Sequence, residues 1–187
     1  MYKNEEMKIL VIIPAYNEEK NIKETVERLK ESAASVDYVV INDCSKDRTE
    51  RILKNLGITY ISLPVNLGIG GAVQTGYKYG VENGYDIAIQ MDGDGQHDPK
   101  YLDTLIAPIV SGTADVVIGS RFLKKEGFQS SRSRRIGIRI LGMLVSICCI
   151  QQIKDVTSGF RAVNKEFMQV FAKDYPQDYP EPESIVA

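Results

Sequence analysis

Short apolar runs alternate along the chain with longer amphipathic stretches. Five apolar runs predict buried strands: KILVIIP (8–14), DYVVIND (37–43), ITYISLP (58–64), YDIAIQMD (85–92) and ADVVIGSRF (114–122). The amphipathic stretches predict helices over 17–33, 45–57, 67–84 and 99–112. Because strands alternate with helices and lack a clean period of two, we expect a mostly parallel sheet covered by helices on both faces.

Polar clusters follow four of these strands. They are PAYNEE, NDCSKD, DGDGQ and SRF, after the first, second, fourth and fifth strands. In open parallel sheets, ligands bind beyond the carboxyl ends of the strands. The sequence therefore predicts a ligand site at this edge of the sheet.

The stretch IQMDGDGQHDP (89–99) places acidic residues at the end of an apolar strand. Asp92 and Asp94 are two residues apart, so both carboxylates point the same way if the chain stays extended. Together with the Gln96 amide oxygen they form a hard oxygen set that suits Mg²⁺ or Mn²⁺. The alternative is a solvated Asp- and Gly-rich turn. The preceding buried strand and the other polar strand ends favour a metal bound to a diphosphate, whereas His97 is interpreted as a surface residue.

The first two polar clusters offer a second kind of ligand group. Asp43 ends the second strand, where its carboxylate can accept a hydrogen bond from a nucleobase N–H or a ribose hydroxyl. Helix capping by Asp43 or Ser45 is the competing interpretation, and both hold if Ser45 caps while Asp43 binds. In PAYNEE, Tyr16 is a candidate for stacking on a base, and Glu18 for binding or for complementing a helix N-terminus.

Two further segments carry patterns of their own. Small residues recur every four positions at Gly68, Ala72, Gly76 and Gly80, which predicts close packing of a helix on the sheet rather than a phosphate loop. The segment 131–150 has four arginines within residues 132–139, namely Arg132, Arg134, Arg135 and Arg139, and ends apolar. It fits a helix at a membrane surface and an ordinary amphipathic helix docked on the sheet equally well. Asn17 is the predicted N-cap of the first helix.

Composition narrows the classes of protein. The 187 residues carry 23 basic and 25 acidic side chains, so the net charge of −2 gives no reason to expect nucleic-acid binding. The three cysteines have no zinc-like spacing, and their odd number without a secretion signal indicates a reducing compartment. No apolar run reaches the roughly 20 residues that a membrane span needs, since the nearest candidate, 136–150, is shorter and carries Arg139.

Taken in order, six pieces of the chain resemble the inverting family-2 glycosyltransferases of the GT-A fold. The pieces are VIIPAYNEEKNI, VINDCSKDRT, NLGIGGAVQTG, IQMDGDGQHDP, VVIGSRF and DVTSGFRAVNKE, and they run from about residue 8 to residue 167. Within this family the chain is most similar to the polyprenyl-phosphate hexosyltransferases such as dolichol-phosphate mannose synthase. The resemblance implies a Rossmann-like α/β three-layer sandwich with a mostly parallel central sheet, and a single domain over residues 1–187.

The resemblance also implies an activity and a set of site residues. A hexose or N-acetylhexosamine would pass from a nucleoside diphosphate sugar to a polyprenyl phosphate of the undecaprenyl or dolichyl type, with inversion and with Mg²⁺ or Mn²⁺. The implied roles are donor binding, metal binding and contact with the acceptor phosphate. The donor residues are Pro14, Tyr16, Glu18, Asp43 and Asp92, the metal ligands Asp92, Asp94 and Gln96, and the catalytic residues Asp94, Arg121 and Arg135.

Differences from the family shape the remaining expectations. Asn42-Asp43-Cys44-Ser45 stands where many relatives have Asp-Asp-Gly-Ser, and no Gln-x-x-Arg-Trp appears, which argues against the processive synthases. Relatives usually continue beyond the length of this chain. We therefore expect a C-terminally truncated domain, or one anchored by a small membrane partner protein, that works peripherally at the cytoplasmic face of the membrane.

Rival functions also remain open. One is a soluble glycosyltransferase that acts on a saccharide hydroxyl in polysaccharide synthesis; the others are a nucleotidyltransferase and a non-catalytic nucleotide-sugar binding module. A hydroxyl acceptor would need a general base, whereas a phosphate acceptor is already ionised. The candidate bases are Asp155, Glu181 and Glu183.

Overall fold

The strands and helices follow the predicted alternation. The computed structural model describes residues 7–33, 35–119 and 158–175. The strands in these ranges are β1 (Ile9–Ala15), β2 (Asp37–Asn42), β3 (Tyr60–Ser62), β4 (Ile87–Gln90), β5 (Val116–Ile118) and β6 (Arg161–Asn164). The helices are α1 (Ile22–Ser32), α2 (Thr49–Asn55), α3 (Gly68–Glu82), α4 (Leu102–Val110), which follows a 3₁₀ turn at Pro99–Tyr101, and α5 (Lys165–Lys173).

The six strands form one mixed sheet in the order β3-β2-β1-β4-β6-β5. β1 pairs in parallel with β2 and with β4, and β2 pairs in parallel with β3. β6 lies between β4 and β5 and runs antiparallel to both. The prediction of a mostly parallel α/β sheet is therefore confirmed, although the sequence reasoning did not identify β6 as a strand.

Alternate residues of β1 face the two sides of the sheet, as the strand pleat requires. Val11 and Ile13 pack in one apolar cluster with α1 and α4, whereas Leu10 and Ile12 pack in another with α3 and α5. The residues from Leu10 to Ile13 are all fully buried. A strand buried on both faces reads as a continuous apolar run, which is why LVII shows no alternation.

Three of the four small residues of the predicted stripe, Ala72, Gly76 and Gly80, pack as predicted, whereas Gly68 at the start of α3 has open space around it and a φ of +74°. A methyl group added at Gly76 would lie 2.9 Å from Cγ1 of Ile12 on β1. A methyl group at Gly80 would lie 2.6 Å from Sδ of Met168 on α5 and 3.3 Å from Cδ2 of Leu10. Because no side chain fits at either position without displacing a neighbour, the stripe brings the helix close to the sheet and to α5.

Two predicted helix starts are wrong. The first helix begins at Ile22 rather than at residue 17, because Asn17 adopts a left-handed backbone with φ 58°. The second helix begins at Thr49, where the Asp47 carboxylate accepts a hydrogen bond from the Thr49 amide at 2.9 Å. Ser45 is therefore not the cap of this helix, and both polar loops are longer than the sequence pattern indicated.

Several predicted functional residues lie outside the described residues. These are Arg121, Arg135, Asp155, Glu181 and Glu183, together with the segment 131–150. Within the described residues, every helix is too short or too polar to span a membrane.

Candidate functional site

A cavity of about 360 Å³ opens at the carboxyl ends of the parallel strands, beside the N-terminus of α3. Its lining includes residues from the ends of β1, β2 and β4 and from the first turn of α3. Six residues predicted as ligands line it: Pro14, Tyr16, Glu18, Asp43, Asp92 and Asp94. The structure thus brings the candidate nucleoside residues and the candidate metal carboxylates to one space.

Asp43 serves the local fold and faces the cavity at the same time. Its residue is 3% exposed, and Oδ1 accepts a hydrogen bond from the Leu67 amide at 2.7 Å, just before α3 begins. Its carbonyl oxygen also accepts a hydrogen bond from Asn66 Nδ2 at 3.2 Å. The two interpretations of Asp43, as a structural acceptor and as a cavity residue, are therefore compatible.

The loops after β1 and β2 are hydrogen-bonded to each other. The Asn17 amide donates to Ser45 Oγ at 3.0 Å, and Asn17 Oδ1 accepts from the Lys46 amide at 2.8 Å. Glu19 Oε2 accepts hydrogen bonds from the Arg48 amide at 3.0 Å and from Arg48 Nε at 3.1 Å. The side-chain bond from Arg48 holds the pKa of Glu19 below its ordinary value. These bonds hold the Tyr16–Glu18 side of the cavity against the end of β2.

Asp92 is held from several directions. Its side chain is 34% exposed, and Oδ1 accepts a hydrogen bond from Gln90 Nε2 at 3.4 Å. Its backbone amide donates to Nδ1 of His97 at 3.1 Å. The carboxylate lies directly over Gly159, where an added methyl group would come within 2.9 Å of the Asp92 Cγ. These contacts favour one direction of the carboxylate, whose remaining side is open to the cavity.

The loop after Asp92 is tied to its own turn and to α1. Asp94 Oδ1 accepts a hydrogen bond from the Gln96 amide at 2.9 Å. Thr25 Oγ1 and Arg28 Nη1, both on α1, donate to the Gly93 and Gly95 carbonyl oxygens at 3.1 and 3.3 Å. Gly95 has a φ of +77°, a conformation that favours glycine. The loop thus has a defined shape before any ligand binds.

Asp92 and Asp94 are the predicted metal ligands that line the cavity, and their carboxylates suit a hard divalent cation. The described residues contain no cluster of three or more His, Cys, Asp or Glu side chains that could hold a metal alone. Gln96 is exposed, and it is not among the described residues that line the cavity. Oxygen donors with a negative charge nevertheless fit Mg²⁺ or Mn²⁺, which commonly combine one or two carboxylates with substrate phosphates.

Sequence reasoning missed the residues that support Asp92. His97, interpreted as a surface residue, is 9% exposed, and its ring stacks on Phe160 with centroids 5.1 Å apart. Phe160 and Gly159 belong to the DVTSGFRA piece. This piece contributed to the family resemblance, but no function was assigned to either residue from the sequence. Arg161, in the same piece, is 2% exposed and donates from Nη2 to the Ser158 carbonyl oxygen at 2.7 Å. A lone loop histidine has no periodicity, so no sequence pattern indicated its burial.

Comparison with solved structures defines the class of fold. Glucosyl-3-phosphoglycerate synthase from Mycobacterium tuberculosis, solved with Mn²⁺, UDP and glucosyl-3-phosphoglycerate, matches with a TM-score of 0.65 and 22% identity, over 86% of this chain and 58% of that chain. TarS residues 1–349 from S. aureus match with a TM-score of 0.64 and 21% identity, over 95% of this chain and 53% of that chain. The architecture is that of a GT-A-like glycosyltransferase, and the chain spans less than two thirds of either structure.

Sequence comparison then gives the family. Residues 10–171 match the model of glycosyl transferase family 2, and the chain belongs to that family. A UDP-N-acetylglucosamine–dolichyl-phosphate N-acetylglucosaminyltransferase from Methanococcus voltae is 32% identical over 88% of this chain and 72% of its own length. An undecaprenyl-phosphate mannosyltransferase from Micrococcus luteus is 32% identical over 90% of this chain and 71% of its own length. The predicted fold, family and glycosyltransferase class are confirmed.

Proposed function

We propose that this protein transfers a hexose or an N-acetylhexosamine from a nucleoside diphosphate sugar to a polyprenyl phosphate, with inversion at the anomeric carbon. The observation that carries the proposal is the shared cavity, in which Asp43 faces the same space as Asp92 and Asp94. A nucleoside diphosphate fits this arrangement, because Asp43 can bind the nucleoside while Asp92 and Asp94, which line the same cavity, bind a metal on the diphosphate. The names of the Methanococcus voltae and Micrococcus luteus relatives, which specify lipid-phosphate acceptors, support the acceptor class.

In this proposal the donor lies across the strand ends. Pro14, Tyr16, Glu18 and Asp43 hold the nucleoside. Tyr16, a 44% exposed residue, presents its ring for stacking on the base. Asp92 and Asp94 hold Mg²⁺ or Mn²⁺, with Gln96 as a further ligand from the same turn. When bound, the cation acts as a Lewis acid and stabilises charge on the departing nucleoside diphosphate.

The acceptor half of the proposal rests on the sequence. We assign Arg121 and Arg135 the role of binding the acceptor phosphate, because a guanidinium pairs with phosphate oxygens and stays charged throughout the reaction. The acceptor phosphate is already ionised and needs no general base. We treat residues 1–187 as a single catalytic domain that works peripherally at the cytoplasmic face of the membrane, through segment 131–150 and with a small membrane partner protein.

The first experiment tests the site. Asp94→Asn should cut turnover of the nucleotide sugar by roughly 100-fold or more, because it removes a charged metal ligand, and EDTA should abolish wild-type activity. Asp103→Asn, which changes an exposed carboxylate on α4, is the matched control and should leave the rate unchanged. Full activity of Asp94→Asn, or of the wild type in EDTA, would refute the metal role.

The second experiment tests the acceptor. A labelled nucleotide sugar is offered with a short polyprenyl phosphate, the matching polyprenol, or free saccharides. Transfer to the phosphate alone is expected, and Arg135→Ala should raise the acceptor concentration required while donor affinity stays nearly unchanged. Equal transfer to the alcohol, or preference for a saccharide hydroxyl, would instead support a soluble transferase of polysaccharide synthesis.

A further inference from the structure

His97 contacts the backbone of Asp92 at the point where β4 leaves the sheet. The Asp92 amide N–H donates to His97 Nδ1 at 3.1 Å, and His97 Nε2 lies 3.8 Å from Asp92 Oδ2. Because Nδ1 accepts this bond, the ring carries its proton on Nε2, the nitrogen that faces the carboxylate. One imidazole thus contacts both the main chain and the side-chain region of the same aspartate.

The ring itself is held in place. The side chain of His97 is 8% exposed, and its ring stacks on Phe160 with an interplanar angle of 23°. Phe160 lies next to Gly159, the residue over which the Asp92 carboxylate packs. His97 therefore connects the loop after β4 with the segment that leads into β6, and it does so within van der Waals range of the carboxylate.

We propose that His97 is a positioning residue for the metal site: its Nδ1 holds the Asp92 backbone so that the carboxylate points into the cavity. The inference rests on the proposed function, since it assigns Asp92 to a bound cation. His97 does not touch the reacting atoms in this scheme, and it acts only through Asp92. Its contribution is the hydrogen-bond acceptor at Nδ1, whereas the ring stacking on Phe160 merely holds the imidazole.

Two substitutions separate the acceptor from the stacking. In His97→Asn the amide oxygen occupies a place equivalent to Nδ1, so the acceptor is kept and the ring is lost. In His97→Phe the ring can still stack on Phe160, but the acceptor for the Asp92 amide is lost. A positioning role predicts that His97→Asn needs less Mn²⁺ for half-maximal rate than His97→Phe. A purely structural role predicts the reverse order.

The experiment measures binding as well as turnover. The rise in Tm caused by MnCl₂ together with UDP or GDP, and the Mn²⁺ concentration for half-maximal rate, are measured for the wild type, both His97 variants and Asp92→Asn. For His97→Phe we expect a roughly 10–100-fold higher Mn²⁺ requirement and a smaller rise in Tm, the usual size for loss of a group that orients a metal ligand. His97→Asn should restore most of both values even if its own Tm is lower.

The outcomes distinguish this inference from the proposed function. If the wild type shows no Mn²⁺-dependent rise in Tm and Asp92→Asn behaves like it, the metal site itself is refuted. If the wild type responds, Asp92→Asn does not, and His97→Phe still matches the wild type, the metal site stands and the positioning role is overturned. A His97→Asn variant that is worse than His97→Phe in Mn²⁺ requirement would also overturn it.

Discussion

Substitution of Gly159 by alanine should disable the site while leaving the fold nearly intact. The Gly159 backbone lies outside the left-handed region, so alanine is conformationally allowed there. Its methyl group would lie 2.7 Å from Oδ1 and 2.9 Å from Cγ of Asp92. Oδ2 of Asp92 would be closer still. Since non-bonded heavy atoms prefer separations of about 3.5 Å, the carboxylate must retreat by about 1 Å.

That displacement sets the expected magnitude. Functional groups must be held to within about 0.5 Å of their productive positions, and a misplacement near 1 Å costs on the order of 100-fold in rate. Because the Asp92 carboxylate is partly exposed and can turn outward, the cost in stability should stay near about 1 kcal/mol, or a Tm decrease of about 2–4 °C. The variant should therefore be folded and roughly 100-fold slower.

The assay compares the rate of nucleoside diphosphate release with the thermal unfolding curve of the same preparation. Gly80→Ala is the matched control, since it adds the same methyl group against the flexible Met168 side chain, away from the cavity. That control should keep its rate. A Gly159→Ala enzyme with more than half the wild-type rate, an unchanged Mn²⁺ requirement and a normal Tm would show that the contact with Asp92 does not position the carboxylate.

Three further predictions concern the core and the nucleoside side of the cavity. Gly76→Ala forces a methyl group against the β-branched side chain of Ile12 on β1. The substitution should lower the free energy of unfolding, measured by denaturant titration, by about 1–3 kcal/mol. The rate per folded molecule should change little. Asp43→Ala should weaken binding of UDP or GDP roughly tenfold, measured by calorimetry, because it removes a charged acceptor from the cavity; unchanged affinity for both would leave Asp43 a structural acceptor. Because Arg48 lowers the pKa of Glu19, Arg48→Ala should lower the Tm slightly at neutral pH. The difference in Tm from the wild type should vanish as the pH falls through the lowered pKa of Glu19, below the ordinary value of 4.5. A difference in Tm that persists in acid would contradict the pairing of Arg48 with Glu19.

The fold was largely predictable because its central strands are buried on both faces. LVII of β1 and VVI of β2 form apolar runs that periodicity detects. β6 escaped detection because it has four residues and begins with a buried arginine, so its position between β4 and β5 depends on pairing rather than on pattern. Antiparallel pairing of so short a strand is a tertiary effect that a local window does not contain.

The candidate site was predictable where its residues follow strands directly. Asp43, Asp92 and Asp94 line the cavity because parallel strands end at one edge of the sheet. The supporting residues were not predictable, since His97 and Gly159 act through contacts that cross from one segment of the chain to another. The position of the Asn17 turn also depends on such a contact, because its left-handed backbone is paired with the loop at Ser45 and Lys46.

The placement of β6 has a consequence for synthesis on the ribosome. Gly159 follows Asp92 by roughly 70 residues, which take about 3–14 s to translate at ~5–20 residues per second. During that interval β4 can pair with β1 but lacks its other neighbour, so the nascent chain carries an open strand edge of the kind that recruits other chains. The nucleoside side of the cavity can assemble early from β1 and β2, whereas the contacts of Asp92 with Gly159 and of His97 with Phe160 form only when β6 closes that edge. We therefore expect chaperone contacts with the nascent chain to concentrate in this interval.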